Sequence, residues 1–89
     1  MNTVLLFGKV KKVHTINDNW VALELLVKRD FRNQNGDFEY DVFTINFYCG
    51  IGQYISQLEL ENKNISVSGR LEVKGAILNI IGHKITMLE

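Results

Sequence analysis

Proline is absent from this 89-residue chain, and cysteine occurs only once. A lone cysteine excludes an intrachain disulfide, so the sequence is typical of a small domain in a reducing compartment, and we expect the cytoplasm. Cys49 itself is expected to be a small buried hydrophobic residue. Long apolar runs are also missing. The run near the start, Val4–Phe7, is far too short for a signal peptide or a membrane span, so we expect no membrane partner.

An excess of either charge is lacking as well, because ten basic residues balance ten acidic residues. Net charge therefore does not indicate a nucleic-acid partner, and an anionic ligand would need a local basic patch. Catalytic and metal-binding patterns are scarce: His14 and His83 are far apart, and neither a His-x-x-x-His nor a Cys-x-x-Cys pattern occurs. We expect no enzyme activity, no metal, no cofactor and no small-molecule substrate.

Apolar residues make up 46% of the chain, which is enough for one core, and they follow the periods of strands and of one helix. Alternation predicts five strands, over residues 3–14, 20–29, 38–49, 65–73 and 76–88. An i, i+3, i+4, i+7 spacing predicts a helix over residues 50–60. Its apolar stripe comprises Ile51, Tyr54, Ile55 and Leu58.

Turn residues separate these segments. Asn35-Gly36 and Lys74-Gly75 predict tight turns, and Gly82 predicts a bulge or a bend inside the last strand. Five strands with a helix between the third and the fourth are the layout of an oligonucleotide-binding (OB) barrel. The sequence therefore predicts an all-β fold with a small α insertion, as a single OB domain over residues 1–89. A five-stranded SH3-like roll is the main alternative.

The third predicted strand carries large apolar side chains on both faces, and a one-residue change of register would exchange the two sets. One face, expected to be the core, holds Phe43, Ile45 and Phe47. The other face holds Phe38, Tyr40 and Tyr48, and Phe31 stands just before the hairpin loop. Exposed rings on a sheet stack with unpaired bases, so we predict that these four rings bind single-stranded nucleic acid. A protein interface is the alternative, especially for Tyr40 and Tyr48, and Trp20 is expected in the core or an interface.

Basic residues lie beside these rings and on neighbouring strands, where they supply the local patch that the net charge conceals. The predicted phosphate contacts are Lys28, Arg29, Arg32, Lys9, Lys11 and Arg70. Because stacking does not by itself distinguish ribose from deoxyribose, RNA stays an alternative to DNA.

Several segments, taken in order, resemble the bacterial single-stranded DNA-binding protein family. They are residues 1–10, Phe31-Arg32-Asn33 with Gly36, residues 41–48, Ser68-Gly69-Arg70-Leu71 and residues 85–89. The resemblance implies an OB fold, a homodimer or homotetramer with the first strand as its interface, and single-stranded DNA as ligand. It also implies that Phe31 and Tyr48 are stacking residues. Val42 stands where many members have an aromatic residue, and Tyr40 is a candidate substitute.

Two features depart from that family. The long hairpin between the last two strands is reduced to Lys74-Gly75, and the chain ends at Glu89 without the acidic tail. We therefore expect fewer contacts and a lower affinity than in a full-length member.

The function expected from the sequence is binding of single-stranded DNA with little sequence preference, in DNA replication, recombination or repair. Replication and recombination proteins are further expected partners. The alternative is a protein-interaction subunit of a primosomal or recombination complex that binds nucleic acid only weakly.

Overall fold

The structure, a computed structural model, describes residues 1–88, with the exception of the Cys49 side chain. The predicted burial of Cys49 therefore lies outside the described residues. The five strands are β1 (Val4–Thr15), β2 (Trp20–Arg32), β3 (Phe38–Tyr48), β4 (Asn64–Lys74) and β5 (Ile77–Leu88), and helix α1 (Cys49–Gln57) lies between β3 and β4. Each predicted strand is present within three residues of its predicted ends.

The five strands form a closed barrel in the order β1-β2-β3-β5-β4. β1 pairs with both β2 and β4, and a register shift between Val10 and Lys12 interrupts its pairing with β2. The parallel pairing of β3 with β5, at Ile45 and Ile80, closes the barrel. A closed five-stranded barrel with one helix between β3 and β4 is the OB fold, so this prediction is confirmed over the SH3-like alternative.

The barrel interior is filled by apolar side chains that alternate along the strands. The largest fully buried side chains are Phe47, Leu23, Leu25, Ile45, Ile55, Leu60, Ile65, Val10 and Val67. Phe43 is half-buried, so the face of β3 predicted as core does point inward. Tyr40 and Tyr48, on the other face, are 58% and 52% exposed.

Helix α1 differs from its prediction in length and in its buried face. It ends at Gln57, and Leu58 has an extended backbone whose N–H donates to the Ile55 carbonyl at 3.1 Å. Gly52 and Ile55 are the buried positions, whereas Ile51 and Tyr54 are exposed. The reason is close packing: a Cβ at Gly52 would lie 3.0 Å from the Phe47 carbonyl oxygen and 3.2 Å from Val21 Cγ2. The helix therefore approaches the barrel through a glycine that an apolar-stripe analysis does not count.

The β4–β5 hairpin contains the bulge predicted near Gly82. Ser68 is opposite Lys84 and Gly69 is opposite Gly82, so His83 is the extra residue of β5. The turn that joins the two strands is Gly75-Ala76, one residue later than predicted, and Gly75 has a positive φ of 61°. A bulge redirects the side chain of its extra residue. Here that residue is His83.

Candidate nucleic-acid interface

The outer face of the β2–β3 ribbon carries three of the predicted rings, Phe38, Tyr40 and Tyr48, and Phe31 stands next to Arg32 near the end of β2, within the register shift. In the register of the two strands, Trp20 is opposite Tyr48, Lys28 is opposite Tyr40, and Arg32 is opposite Phe38. Eight residues separate Tyr40 from Tyr48, which corresponds to roughly 26 Å along a strand. The predicted rings therefore form two groups at opposite ends of the ribbon.

The first group, which we call the hairpin patch, lies where β2 and β3 extend to their connecting loop. It comprises Lys28, Phe31, Arg32, Phe38 and Tyr40. Lys28 Nζ and Arg32 Cζ each lie 4.4 Å from the centre of the Phe38 ring, which is within range for cation–π attraction. Phe31 is 84% exposed, and Tyr40 is more than half exposed. The patch thus presents the open ring of Tyr40 opposite Lys28, one of the two cations that contact Phe38, and the open ring of Phe31 next to Arg32 in the sequence.

A small hydrogen-bonded loop fixes the shape of the hairpin patch. The Asn33 side-chain oxygen accepts hydrogen bonds from the N–H groups of Asn35 and Asp37, at 2.9 and 3.0 Å. Gly36 has a φ of 84°, a left-handed conformation that favours glycine. Arg32 Nη1 donates to the Gly36 carbonyl at 2.8 Å, which ties this cation to the loop.

Arg29 lies apart from the hairpin patch. Its guanidinium binds the Asp41 carboxylate at 2.8 Å and the Glu39 carboxylate at 2.8 Å. Asp41 is opposite Val27, one position along from the pair of Lys28 and Tyr40, so alternation places it on the other face of the ribbon. Arg29 is therefore paired with two carboxylates on the face opposite Lys28, and its phosphate contact stays a prediction.

This exposed ion pair makes a testable prediction about acid. The hydrogen bond and charge of Arg29 lower the pKa of Asp41, and Asp41 in turn raises the pKa of Arg29. Because the pKa of Asp41 is lower in the folded state, the pair stabilises the fold fully above the pKa of unfolded aspartate. That stabilisation is lost as the pH falls through the folded pKa. We expect the NMR titration midpoint of the Asp41 carboxyl to lie below its ordinary value and to rise in Arg29→Gln. An unchanged midpoint in this variant would contradict the pairing.

Lys9 and Lys11 lie on β1, and both are exposed. Lys9 is opposite Leu26, which is in turn opposite Val42, so Lys9 shares a row across the outer face with β3. Lys11 is the residue without a partner at the β1 irregularity. Neither lysine contacts a predicted ring within the described residues, and their phosphate contacts stay predictions.

The second group surrounds a groove between the other end of the ribbon and the β4–β5 hairpin, which we call the aromatic groove. Trp20 and Tyr48 line one side, with ring centres 4.9 Å apart and planes tilted by 57°. Arg70, Glu72, Lys74 and the bulge residue His83 line the other side. The volume of the groove is about 670 Å³, within the ordinary range for ligand pockets.

Charged side chains in the aromatic groove are linked in a chain. Arg70 Nη1 lies 2.7 Å from His83 Nε2, and Arg70 Nη2 lies 3.3 Å from the Glu72 carboxylate. Lys74 Nζ lies 4.0 Å from the same carboxylate. Arg70, predicted from the sequence, is thus brought to Tyr48, also predicted. Trp20, Glu72, Lys74 and His83 were not predicted as site residues.

Trp20 is half-buried and lies outside the barrel core, against Tyr48. The sequence did contain a signal for this position. Trp20 is in phase with Glu24 and Lys28, polar residues of the outer face of β2, and out of phase with the buried Leu23. No such signal exists for Glu72 or His83, because only the closed barrel shows which face of β4 meets Tyr48.

Two other properties follow from the described part of the chain. No group of three or more His, Cys, Asp or Glu side chains in it is placed to hold a metal ion. None of its helices has the length and apolar character needed to cross a membrane.

The known proteins that match this chain match it in structure and not in sequence. No protein-family model and no curated protein matches the sequence. A small single-stranded DNA-binding protein from Mycoplasma pneumoniae has a TM-score of 0.76 at 18% identity, over 97% of this chain and 92% of its own. The Plasmodium falciparum SSB in complex with ssDNA has a TM-score of 0.73 at 19% identity, over 100% and 96%. The protein PriB from Ralstonia solanacearum has a TM-score of 0.71 at 7% identity, over 100% and 99%. At these identities the similarity concerns architecture, and this chain has the OB fold that these proteins share.

Proposed function

We propose that this protein binds single-stranded DNA without catalysis, through the hairpin patch and the aromatic groove. One observation supports the proposal above all: exposed rings and basic residues occur together at both ends of the β2–β3 ribbon. This combination suits single strands, whose bases expose flat surfaces for stacking while their phosphates need positive charge. A duplex hides its base faces and would use only the cations.

In this proposal, Phe31 and Tyr40 stack with bases at the hairpin patch, and Tyr48 and Trp20 stack with bases at the aromatic groove. Lys28 and Arg32 contact phosphates at the patch, with Lys9 and Lys11 available along β1. Stacking is tolerant of sequence because every base has a flat face. The structural similarity to two single-stranded DNA-binding proteins supports this assignment, as does the sequence resemblance to the bacterial family. A role in replication, recombination or repair and a cytoplasmic location are part of the same proposal.

Self-association into a homodimer or homotetramer through β1 is also proposed. Leu5 and Phe7, on alternate positions of β1, are 59% and 55% exposed, which is unusual for two large apolar neighbours on one strand face. Burying them between two copies would add stability to a small domain whose own core is limited.

The experiment that tests the proposal is a salt series of fluorescence titrations with oligo(dT), following the emission of Trp20 and the tyrosines. Each phosphate neutralised on a single strand contributes about −0.7 to the slope of log K against log salt. Three or four phosphate contacts therefore predict a slope of roughly −2 to −3. Matched RNA and duplex DNA serve as controls for ligand class. Failure of oligo(dT) to bind even at low salt would contradict the proposal.

A protein-interaction role with weak nucleic-acid binding is the second candidate. Zero net charge favours it, as does the neutralisation of Arg29 by two acids. The structural similarity to PriB is compatible with either role. In this case the exposed rings would contact a protein, and their removal would change assembly instead of affinity for DNA.

A further inference from the structure

The acidic residue in the aromatic groove distinguishes this groove from the hairpin patch. Arg70, Glu72 and Lys74 are alternate residues of β4, so their side chains point to the same face. A carboxylate in a groove that held phosphates would weaken binding, because the carboxylate and the phosphates are both negatively charged and repel each other at short range. Glu72 is nevertheless held there by both neighbouring cations, and its side chain is 35% exposed. This wall of the groove is therefore suited to the edges of bases.

The hydrogen-bonding capacity of the wall is fixed by its contacts. A guanidinium only donates, so in the contact between Arg70 Nη1 and His83 Nε2 the histidine nitrogen is the acceptor. His83 and Glu72 together hold Arg70 from two sides, which orients its remaining N–H groups. The wall thus offers a carboxylate acceptor directly beside an oriented guanidinium donor, opposite the Trp20 and Tyr48 rings.

We propose that the aromatic groove selects guanine from the single strand; this inference rests on the proposed function. Guanine has two adjacent donors, N1–H and the N2 amine, which match the two oxygens of one carboxylate. Its O6 acceptor lies on the same edge, where the guanidinium of Arg70 can donate. Thymine offers one N–H between two carbonyl oxygens, and those oxygens repel Glu72. Adenine and cytosine each offer a single amine next to a ring acceptor.

Base-edge contacts of this kind discriminate well once a base is unstacked and held against a ring. A bidentate contact to a base is worth about 1–3 kcal/mol of discrimination, so a guanine-to-thymine preference of roughly tenfold is expected. Arg70 then contacts a base, and the phosphates are left to the cations outside the groove. The protein would bind any single strand and choose its register by placing a guanine in the groove.

The test compares three single strands of about eight nucleotides, a length within the site size of one OB domain. One is all thymidine, one has a single central deoxyguanosine, and one has deoxyinosine there, which lacks only the N2 amine. We expect the guanine strand to bind the full chain roughly tenfold more tightly than the thymine strand, with inosine close to thymine. Equal affinity for the guanine and thymine strands would overturn the inference, and so would equal affinity for guanine and inosine.

The variant Glu72→Gln tests whether Glu72 is the residue that causes the guanine preference. This variant is expected to lose the guanine preference and to bind the thymine strand at least as tightly as the native protein, because a negative charge has left the groove. Glu61→Gln, which makes the same change at an exposed position before β4, is the matched control and should keep the preference. A preference that survives in Glu72→Gln would overturn the assignment. If the thymine strand binds and guanine adds nothing, only this inference fails, whereas absence of all binding overturns the proposed function as well.

Discussion

Replacing both Phe31 and Tyr48 with alanine should lower the affinity for oligo(dT) by at least about thirtyfold. Each stacked base contributes about 1–3 kcal/mol by alanine substitution, so two lost platforms cost at least about 2 kcal/mol. The two rings stand at opposite ends of the ribbon, far beyond contact distance, so their effects should add. Both side chains are more than half exposed, so the barrel core does not depend on them. Titration of each single variant and of the double variant measures the effect.

Three control variants separate stacking from other causes. Phe31→Tyr keeps a ring and should bind as the native protein does, whereas Phe31→Leu keeps apolar bulk without a ring and should bind as weakly as Phe31→Ala. Tyr54→Ala removes a tyrosine of α1 that is 63% exposed and lines neither candidate surface, and should leave affinity unchanged. This control accounts for any general effect of losing an exposed aromatic residue.

The same variants decide between the two candidate functions. Sedimentation velocity of the double variant should give the same oligomeric state as the native protein if the rings bind bases. If the double variant binds oligo(dT) normally but assembles differently, then the rings form a protein interface and the proposal of DNA binding through them is wrong. Tyr48→Ala also removes the ring that packs against Trp20, so Trp20 emission in this variant should change even without DNA.

The barrel could be predicted from the sequence because successive side chains of a strand alternate between the barrel interior and the outer surface. The two faces of β3 differ clearly in sequence. One face has Ile45 and Phe47, which are buried, and the other has Tyr40 and Tyr48, which are exposed. The helix was less predictable because its contact with the barrel is made by Gly52, a residue without a side chain. Ile51, which the apolar stripe placed in the core, lines the aromatic groove instead.

The candidate site was predictable only where it is local in sequence. The hairpin patch joins residues 28–40 around one turn, so spacing was enough to bring Arg32 to the Phe38 ring. The aromatic groove joins Trp20 to residues some fifty positions later, and only the pairing of β3 with β5 defines that meeting. The positive charge of a residue was also not enough to predict a place in the site, because Lys28 and Arg29 are adjacent basic residues whose side chains occupy opposite faces.

The glycine at position 82 should be intolerant of even one added methyl group. Its backbone passes over the ring of Phe47, which is fully buried, and a Cβ would overlap Cε1 and Cζ and lie 2.7 Å from Cδ1. A ring enclosed on all sides cannot move aside without opening the barrel. Overpacking of this kind costs about 1–3 kcal/mol, occasionally more, and we expect the upper part of this range for Gly82→Ala. The melting temperature should fall by roughly 10–20 °C, since 1 kcal/mol corresponds to about 4–8 °C in a domain of this size.

Gly50→Ala is the matched control for this destabilisation. Gly50 lies in α1, a Cβ added there would meet no heavy atom within 4 Å, and its φ is not positive, so alanine should be neutral or stabilise the helix. Phe47→Leu should relieve the overlap, so the double variant with Gly82→Ala should lose less stability than the sum of the single variants. A melting temperature for Gly82→Ala within about 2 °C of the native value would contradict this packing, since it corresponds to less than 1 kcal/mol.

Because the residue after Gly82 is the bulge residue His83, the same packing that makes Gly82 intolerant also sets the position of the histidine that holds Arg70 in the aromatic groove.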